Sequence, residues 1–305
     1  MPAGDVPSTP PFGRLLSAMV TPFGPDGSLD LDRAARLARY LVEDQGHDGL
    51  VISGTGGESP TTTDAEKAEL LRVVTRAVGD RSRVLAGVGT FNTEHTVMLA
   101  EQAAESGAHG LLVVTPYYSR PPQSGLLEHF RRVADATELP IMLYDIPGRS
   151  GVAIATDTLL RLAEHPRIVA VKDAKGDLAA SADVMSRTDL AYYSGDDAMT
   201  LPLLSIGAVG VVGTSTHFCG PATKQLIEAF LAGDVSTALR LHRQLLPIYT
   251  GIFATQGAIL VKAGLDLLGL GVGGVRLPLV VATEAEIEAL RGSLAAAGLL
   301  PRVSA

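Results

Sequence analysis

A (β/α)8 TIM barrel with a C-terminal helical appendage is the fold this sequence predicts, on three observations. Eight short apolar runs recur along residues 13–232, each followed by an amphipathic segment. The runs are continuously apolar, as strands of a parallel sheet covered by helices are, and eight such units suit a closed barrel better than an open doubly wound sheet. After Gly233 the pattern turns purely helical. The expected organisation is therefore a flexible tail over residues 1–12, a barrel over 13–232 and a helical region over 233–305. The last packs on the barrel and does not fold alone.

The elements follow in order. A first strand over 16–20 breaks at Thr21-Pro22, and a helix follows over 31–42. The second strand covers 49–52, and Thr63 with Glu66 forms a capping box that opens a helix to Val78. Strands over 84–88, 110–114 and 140–144 alternate with helices over 93–105, 125–136 and 156–164. The sixth strand, 168–172, leads to a helix over 178–186. The seventh, 191–194, leads to a helix capped by Asp197 and running to Ile206. The eighth, 210–212, precedes a helix that starts at Pro221 and runs to Leu231. Helix then continues over 234–264, and a second capping box, Thr283 with Glu286, opens the last one.

Composition narrows the function. An apolar fraction of 46% with 33 glycines indicates a large core with many tight turns, not disorder. A net charge of −8 argues against nucleic acid or an anionic membrane as partner. The single cysteine, Cys219, excludes an internal disulfide framework and fits a reducing compartment. The N-terminal stretch lacks the features of a signal peptide, and no apolar run is long enough to span a bilayer. A cytoplasmic protein is expected.

The sixth strand carries the strongest chemical signal. Ile168-Val169-Ala170-Val171 reads as buried, and the next residue is Lys172. Desolvation disfavours an ammonium and lowers its pKa toward the range where the neutral amine is a nucleophile. The alternative is a lysine that emerges into solvent without a role. Strand alternation puts Ile168, Ala170 and Lys172 on one face and Val169 and Val171 on the other. Barrel enzymes build their sites at the C-terminal strand ends. Those ends hold Gly54-Thr55-Gly56-Gly57-Glu58, Thr115-Pro116-Tyr117-Tyr118, Tyr144 to Arg149, Lys172 and Ser194-Gly195-Asp196-Asp197. In carbonyl chemistry Lys172 would form a Schiff base with a ketone, and the backbone N–H groups of Thr55 and Gly56 would hold an adjacent carboxylate. Tyr144, with Thr55 and Tyr118, would pass protons, and Arg149 would clamp a second carboxylate. Against this, a tyrosine at a strand end is often a rim residue, Arg149 could bridge surface carboxylates, and helix capping accounts for Asp196 and Asp197. The seven histidines show no metal-ligand spacing, so no metal site is expected.

Together these five motifs resemble the dihydrodipicolinate synthase family, from about Arg14 to Leu300. The resemblance implies a lyase that condenses pyruvate with L-aspartate 4-semialdehyde on the way to diaminopimelate and lysine. It implies no cofactor beyond the covalent pyruvate imine on Lys172. Tyr144 would then be the general acid/base, with Thr55 and Tyr118 completing a proton relay and Tyr118 reaching in from a neighbouring subunit. Arg149 would bind the semialdehyde carboxylate, and Gly195 and Val212 would line the pocket through their backbone. A homotetramer built as a dimer of dimers is implied. The sequence departs from the family at Gly56, where a second threonine is usual, so a hydroxyl is lost while the N–H survives. Lysine-inhibited members carry histidine, asparagine and glutamate at an interface site where this chain has Asp64, Lys67, Phe91 and His95. The like charge of Lys67 implies little feedback by lysine. An N-acetylneuraminate lyase or a 2-keto-3-deoxy-sugar-acid aldolase shares the lysine and tyrosine but normally lacks the Pro-Gly-Arg arrangement around Arg149. A non-catalytic keto-acid-binding paralogue is the remaining alternative.

Overall fold

A computed structural model describes residues 10–300. Eight parallel strands pair in sequence order and close on themselves, β1 (Leu15–Ala18) joining β2 (Gly49–Ile52) on one side and β8 (Gly210–Gly213) on the other. Between them lie β3 (Arg83–Gly87), β4 (Gly110–Val114), β5 (Ile141–Asp145), β6 (Ile168–Asp173) and β7 (Ala191–Ser194). The helices around the outside are α1 (Leu31–Arg39), α2 (Asp64–Val78), α3 (Thr93–Glu105), α4 (Gln123–Asp135), α5 (Pro147–Ser150), α6 (Thr156–Leu162), α7 (Leu178–Arg187), α8 (Thr200–Leu204) and α9 (Thr216–Leu231). The predicted barrel is the observed one. The expected tail falls mostly on residues outside those described, but Phe12 is buried at the barrel floor, where its N–H donates to the Tyr193 hydroxyl at 3.3 Å.

Strand alternation divides the core. Leu16, Val51, Leu85, Leu112, Met142 and Ala170 fill the barrel interior, while neighbours such as Leu50, Val84, Leu111 and Val171 face the helices. One sequence expectation fails here. Ile168 packs with the outer layer beside Val171, not with Ala170, because the register skips between Ile141 and Met142. Ile141 pairs with Ile168 but Met142 with Ala170, so Val169 is the extra residue of a bulge and turns toward the inner cluster. From Ala170 onward the expected alternation holds, and Lys172 points inward.

Other boundaries moved for local reasons. The first helix ends in a π turn over Tyr40–Asp44. The helix expected from Pro221 begins at Thr216 and passes a kink at Cys219, whose φ is −121°. Asp196, not Asp197, caps the turn after β7, accepting from the Ala198 N–H at 3.0 Å. The span expected as one helix over 234–264 is two, α10 (Val235–Gly251) and α11 (Gly257–Leu267), separated where the Gln256 side chain caps α11. Both capping boxes form as predicted, the second opening α12 (Glu284–Ala296). No helix among the described residues is long and apolar enough to cross a membrane.

Candidate active site

The C-terminal strand ends open on a cavity of about 710 Å³. Lys172 stands in its wall. Register places it between Tyr144 of β5 and Tyr193 of β7, and it is only 4% exposed. Burial pushes the amine down to about 8; Asp197 acts against this shift and Arg149 with it. At pH 7 roughly a tenth of such an amine is neutral, about 300 times the fraction for an ordinary lysine. Among the described residues no side chain hydrogen-bonds its Nζ, which lies 4.2 Å from the centroid of the Tyr144 ring. That contact favours a cation, lysine or iminium, over the ring face. Gly195 also borders the cavity, and a Cβ there would meet Lys172 Cγ at 3.0 Å, so its lack of a side chain leaves room for the lysine stem.

Tyr144 is 5% exposed. Burial pushes its phenol up to about 12, while Arg149 and the Thr55 hydroxyl pull it back and Asp196 raises it further. At neutral pH it therefore holds its proton and is suited to donate it. Thr55 and Gly56 line the same cavity. The backbone N–H groups of Thr55 and Gly56 find no acceptor among the described residues, which leaves two donors at the cavity wall able to take an anion.

Arg149 sits on the one-turn helix α5, which periodicity is too short to reveal. Its N–H is held by the Ile146 carbonyl at 3.0 Å, its side chain is exposed, and it makes no ion pair among the described residues. The bridging role considered from sequence is therefore absent, and the guanidinium borders both the main cavity and an adjoining one of about 200 Å³. Tyr118 is not brought into this site. It is 93% exposed with a left-handed backbone, φ 76°, and Tyr117 is the tyrosine that lines the adjoining cavity. Val212 is wholly buried in the barrel interior and does not line the cavity; Thr214, two residues on, does. Among the described residues no three His, Cys, Asp or Glu side chains are grouped to hold a metal.

Two contributions escaped the sequence reading. Asp197 is buried, not a cap, and accepts from the Thr214 N–H at 3.0 Å and the Ser215 hydroxyl at 2.8 Å, leaving a carboxylate close enough to oppose the fall in the Lys172 pKa. The second is the wall formed by Tyr249, Thr250, Phe253 and Gln256, at the break between α10 and α11. The appendage thus closes the site as well as packing on the barrel. An apolar helical pattern carries no sign of such a break.

Comparison with known proteins shows the family and the fold. The model of the dihydrodipicolinate synthetase family matches residues 11–297. A 4-hydroxy-tetrahydrodipicolinate synthase of Acidothermus cellulolyticus is 68% identical over 288 residues, spanning 94% of this chain and 93% of that one. A dihydrodipicolinate synthase from Cyanidioschyzon merolae, solved with lysine bound, superposes with a TM-score of 0.94 at 43% identity, covering 96% of this chain and 100% of the other. A chloride-inhibited dihydrodipicolinate synthase from Acinetobacter baumannii, solved in complex with pyruvate, gives 0.90 at 34% identity over 95% and 99% of the two chains.

Proposed function

The chain belongs to the dihydrodipicolinate synthetase family, and on that premise we propose that it condenses pyruvate with L-aspartate 4-semialdehyde through a Schiff base on Lys172. The observation that carries this reading is a buried, pKa-depressed lysine at the end of β6, facing a protonated tyrosine and a loop of unpaired backbone donors across one cavity. The neutral Lys172 amine adds to the pyruvate ketone and water leaves, giving an iminium. The Thr55 and Gly56 amides hold the adjacent carboxylate. Loss of a proton from the methyl carbon gives an enamine, with the iminium nitrogen as electron sink. The enamine carbon adds to the aldehyde, whose oxygen takes a proton delivered through Tyr144. Thr55 beside Tyr144 continues the proton path, and Arg149 at the mouth meets the semialdehyde carboxylate, bidentate by preference. The amino group of the semialdehyde moiety then adds to the imine carbon and the Lys172 nitrogen leaves as the free amine, which closes the ring and restores the lysine. No cofactor is needed for these steps.

Tyr118 completes the relay from a neighbouring subunit. Its exposure, its left-handed backbone and the exposed apolar side chains of Phe91 and Met98 support an assembly in which this face is covered. We take that assembly to be a tetramer made of two tight dimers, in the cytoplasm. Incubation with pyruvate followed by borohydride should leave one pyruvyl adduct, mapped by mass to Lys172. Turnover should then follow with L-aspartate 4-semialdehyde, while the reverse cleavage of N-acetylneuraminate should not be seen. An absent adduct refutes every Schiff-base reading, and cleavage of the sugar acid moves the protein to a sister activity.

A further inference from the structure

A second buried lysine lies outside the chemistry just described. Lys262 of α11 is 3% exposed, and its Nζ is 2.6 Å from Glu58 Oε1 and 2.6 Å from the Gly274 carbonyl. Glu58 is the last residue of the loop that carries Thr55 and Gly56 at the cavity wall. Its other carboxylate oxygen accepts the Arg276 N–H at 2.9 Å. The Arg276 guanidinium continues the tie. It forks onto Glu66 at 2.6 and 2.9 Å and donates to the Thr61 carbonyl at 2.8 Å. Lys262 and Arg276 both lie against the Phe23 ring, at 4.3 and 4.2 Å from its centroid.

The loop needs such a tie. It is bounded by two non-glycine residues with left-handed backbones, Ser53 at φ 58° and Glu58 at φ 54°. Side chains disfavour that conformation, and it persists only where surrounding structure imposes it. A glycine at position 58 would adopt it freely, so the side chain of Glu58 has a purpose its backbone alone does not explain. A buried ion pair is a poor source of stability compared with apolar packing. Its two oxygens are instead directed, one to the appendage helix and one to the backbone after it.

We propose that the Lys262–Glu58 pair is a positioning device for the substrate carboxylate: it holds the Thr55 and Gly56 amides at their angle to the cavity, so that α11 governs pyruvate binding through a lysine that does not itself line the cavity. This rests on the Schiff-base reading above. Lys262 and Glu58 are positioning residues.

The test uses the full-length protein and pyruvate. Lys262→Met removes the cation and strands the carboxylate, so Lys262→Met combined with Glu58→Gln is made alongside it to avoid a lone buried charge. In both, the pyruvate KM should rise about tenfold, with kcat at saturating pyruvate within about twofold of wild type and the semialdehyde KM unchanged. Thr283→Ala, which removes the capping box of α12, serves as control: it should lower the melting temperature of the same region and leave the pyruvate KM alone. A wild-type pyruvate KM in either folded variant overturns the proposal, as does an equal rise in Thr283→Ala. Borohydride trapping in wild type separates the two levels, since failure there refutes the Schiff-base reading itself.

Discussion

Replacing Lys172 with methionine should destroy the activity and stabilise the fold, with a pH dependence that identifies the cause. The side chains have similar length and Met carries no charge. Burial lowers the Lys172 amine from 10.5 to about 8, which corresponds to about 3 kcal/mol set against the native state whenever the amine is protonated in it. Below pH 8 native and unfolded chains both hold the proton, and the whole penalty acts. Between pH 8 and 10.5 the unfolded chain binds a proton that the native state has released, so wild-type stability rises with pH. Lys172→Met lacks that dependence. Thermal or denaturant unfolding of both proteins from pH 6.5 to 9.5 should show the variant more stable by about 3 kcal/mol at pH 7, about 5 °C in melting temperature. The gap should close by about 2 kcal/mol between pH 8 and 9.5. A variant less stable than wild type at pH 7, or a gap independent of pH, refutes the claim that Lys172 is held buried against its solvation preference.

Arg149→Met should keep the pyruvate adduct and raise the semialdehyde KM by more than about tenfold; an unchanged semialdehyde KM removes Arg149 from the site. Because Arg149 helps to lower the Lys172 pKa, the pH midpoint of borohydride trapping should also move upward in this variant. Gly56→Thr should lower the pyruvate KM by restoring a hydroxyl, and a KM that stays put or rises counts against that role. The added Cβ would lie 3.1 Å from the Ala18 carbonyl oxygen, so the same variant should lose about 1 kcal/mol of stability by denaturant unfolding. L-lysine should inhibit weakly. Lys67 donates to the Thr62 carbonyl at 2.5 Å, and Asp64 is engaged by His95 at 3.0 Å, so an incoming ammonium meets a fixed like charge and a carboxylate already paired. Half-inhibition by lysine well below about 1 mM in a steady-state assay contradicts this.

The barrel, its strand order and the capping boxes were legible in the sequence because they depend on local rules. Apolar runs of strand length, helical periodicity and a threonine three residues before a glutamate each report on neighbours in the chain. The cost of burying Lys172 was legible for the same reason, since its preceding residues are its strand. Lys262 follows an apolar run too, but helical periodicity does not say whether a lysine faces a core or water; its partner Glu58 is 204 residues away. Tertiary structure alone decided that pairing. It also decided the bulge that sends Ile168 outward while keeping Lys172 inward, since a bulge is a property of two strands in register. Asp197 became a buried charge because the loop after β8 supplies its donors, and the break between α10 and α11 became a wall because the barrel mouth lies beneath it. Sequence determined which chemistry the chain carries, through side chains at strand ends. The angle at which those groups meet depends on contacts between segments that no local pattern relates.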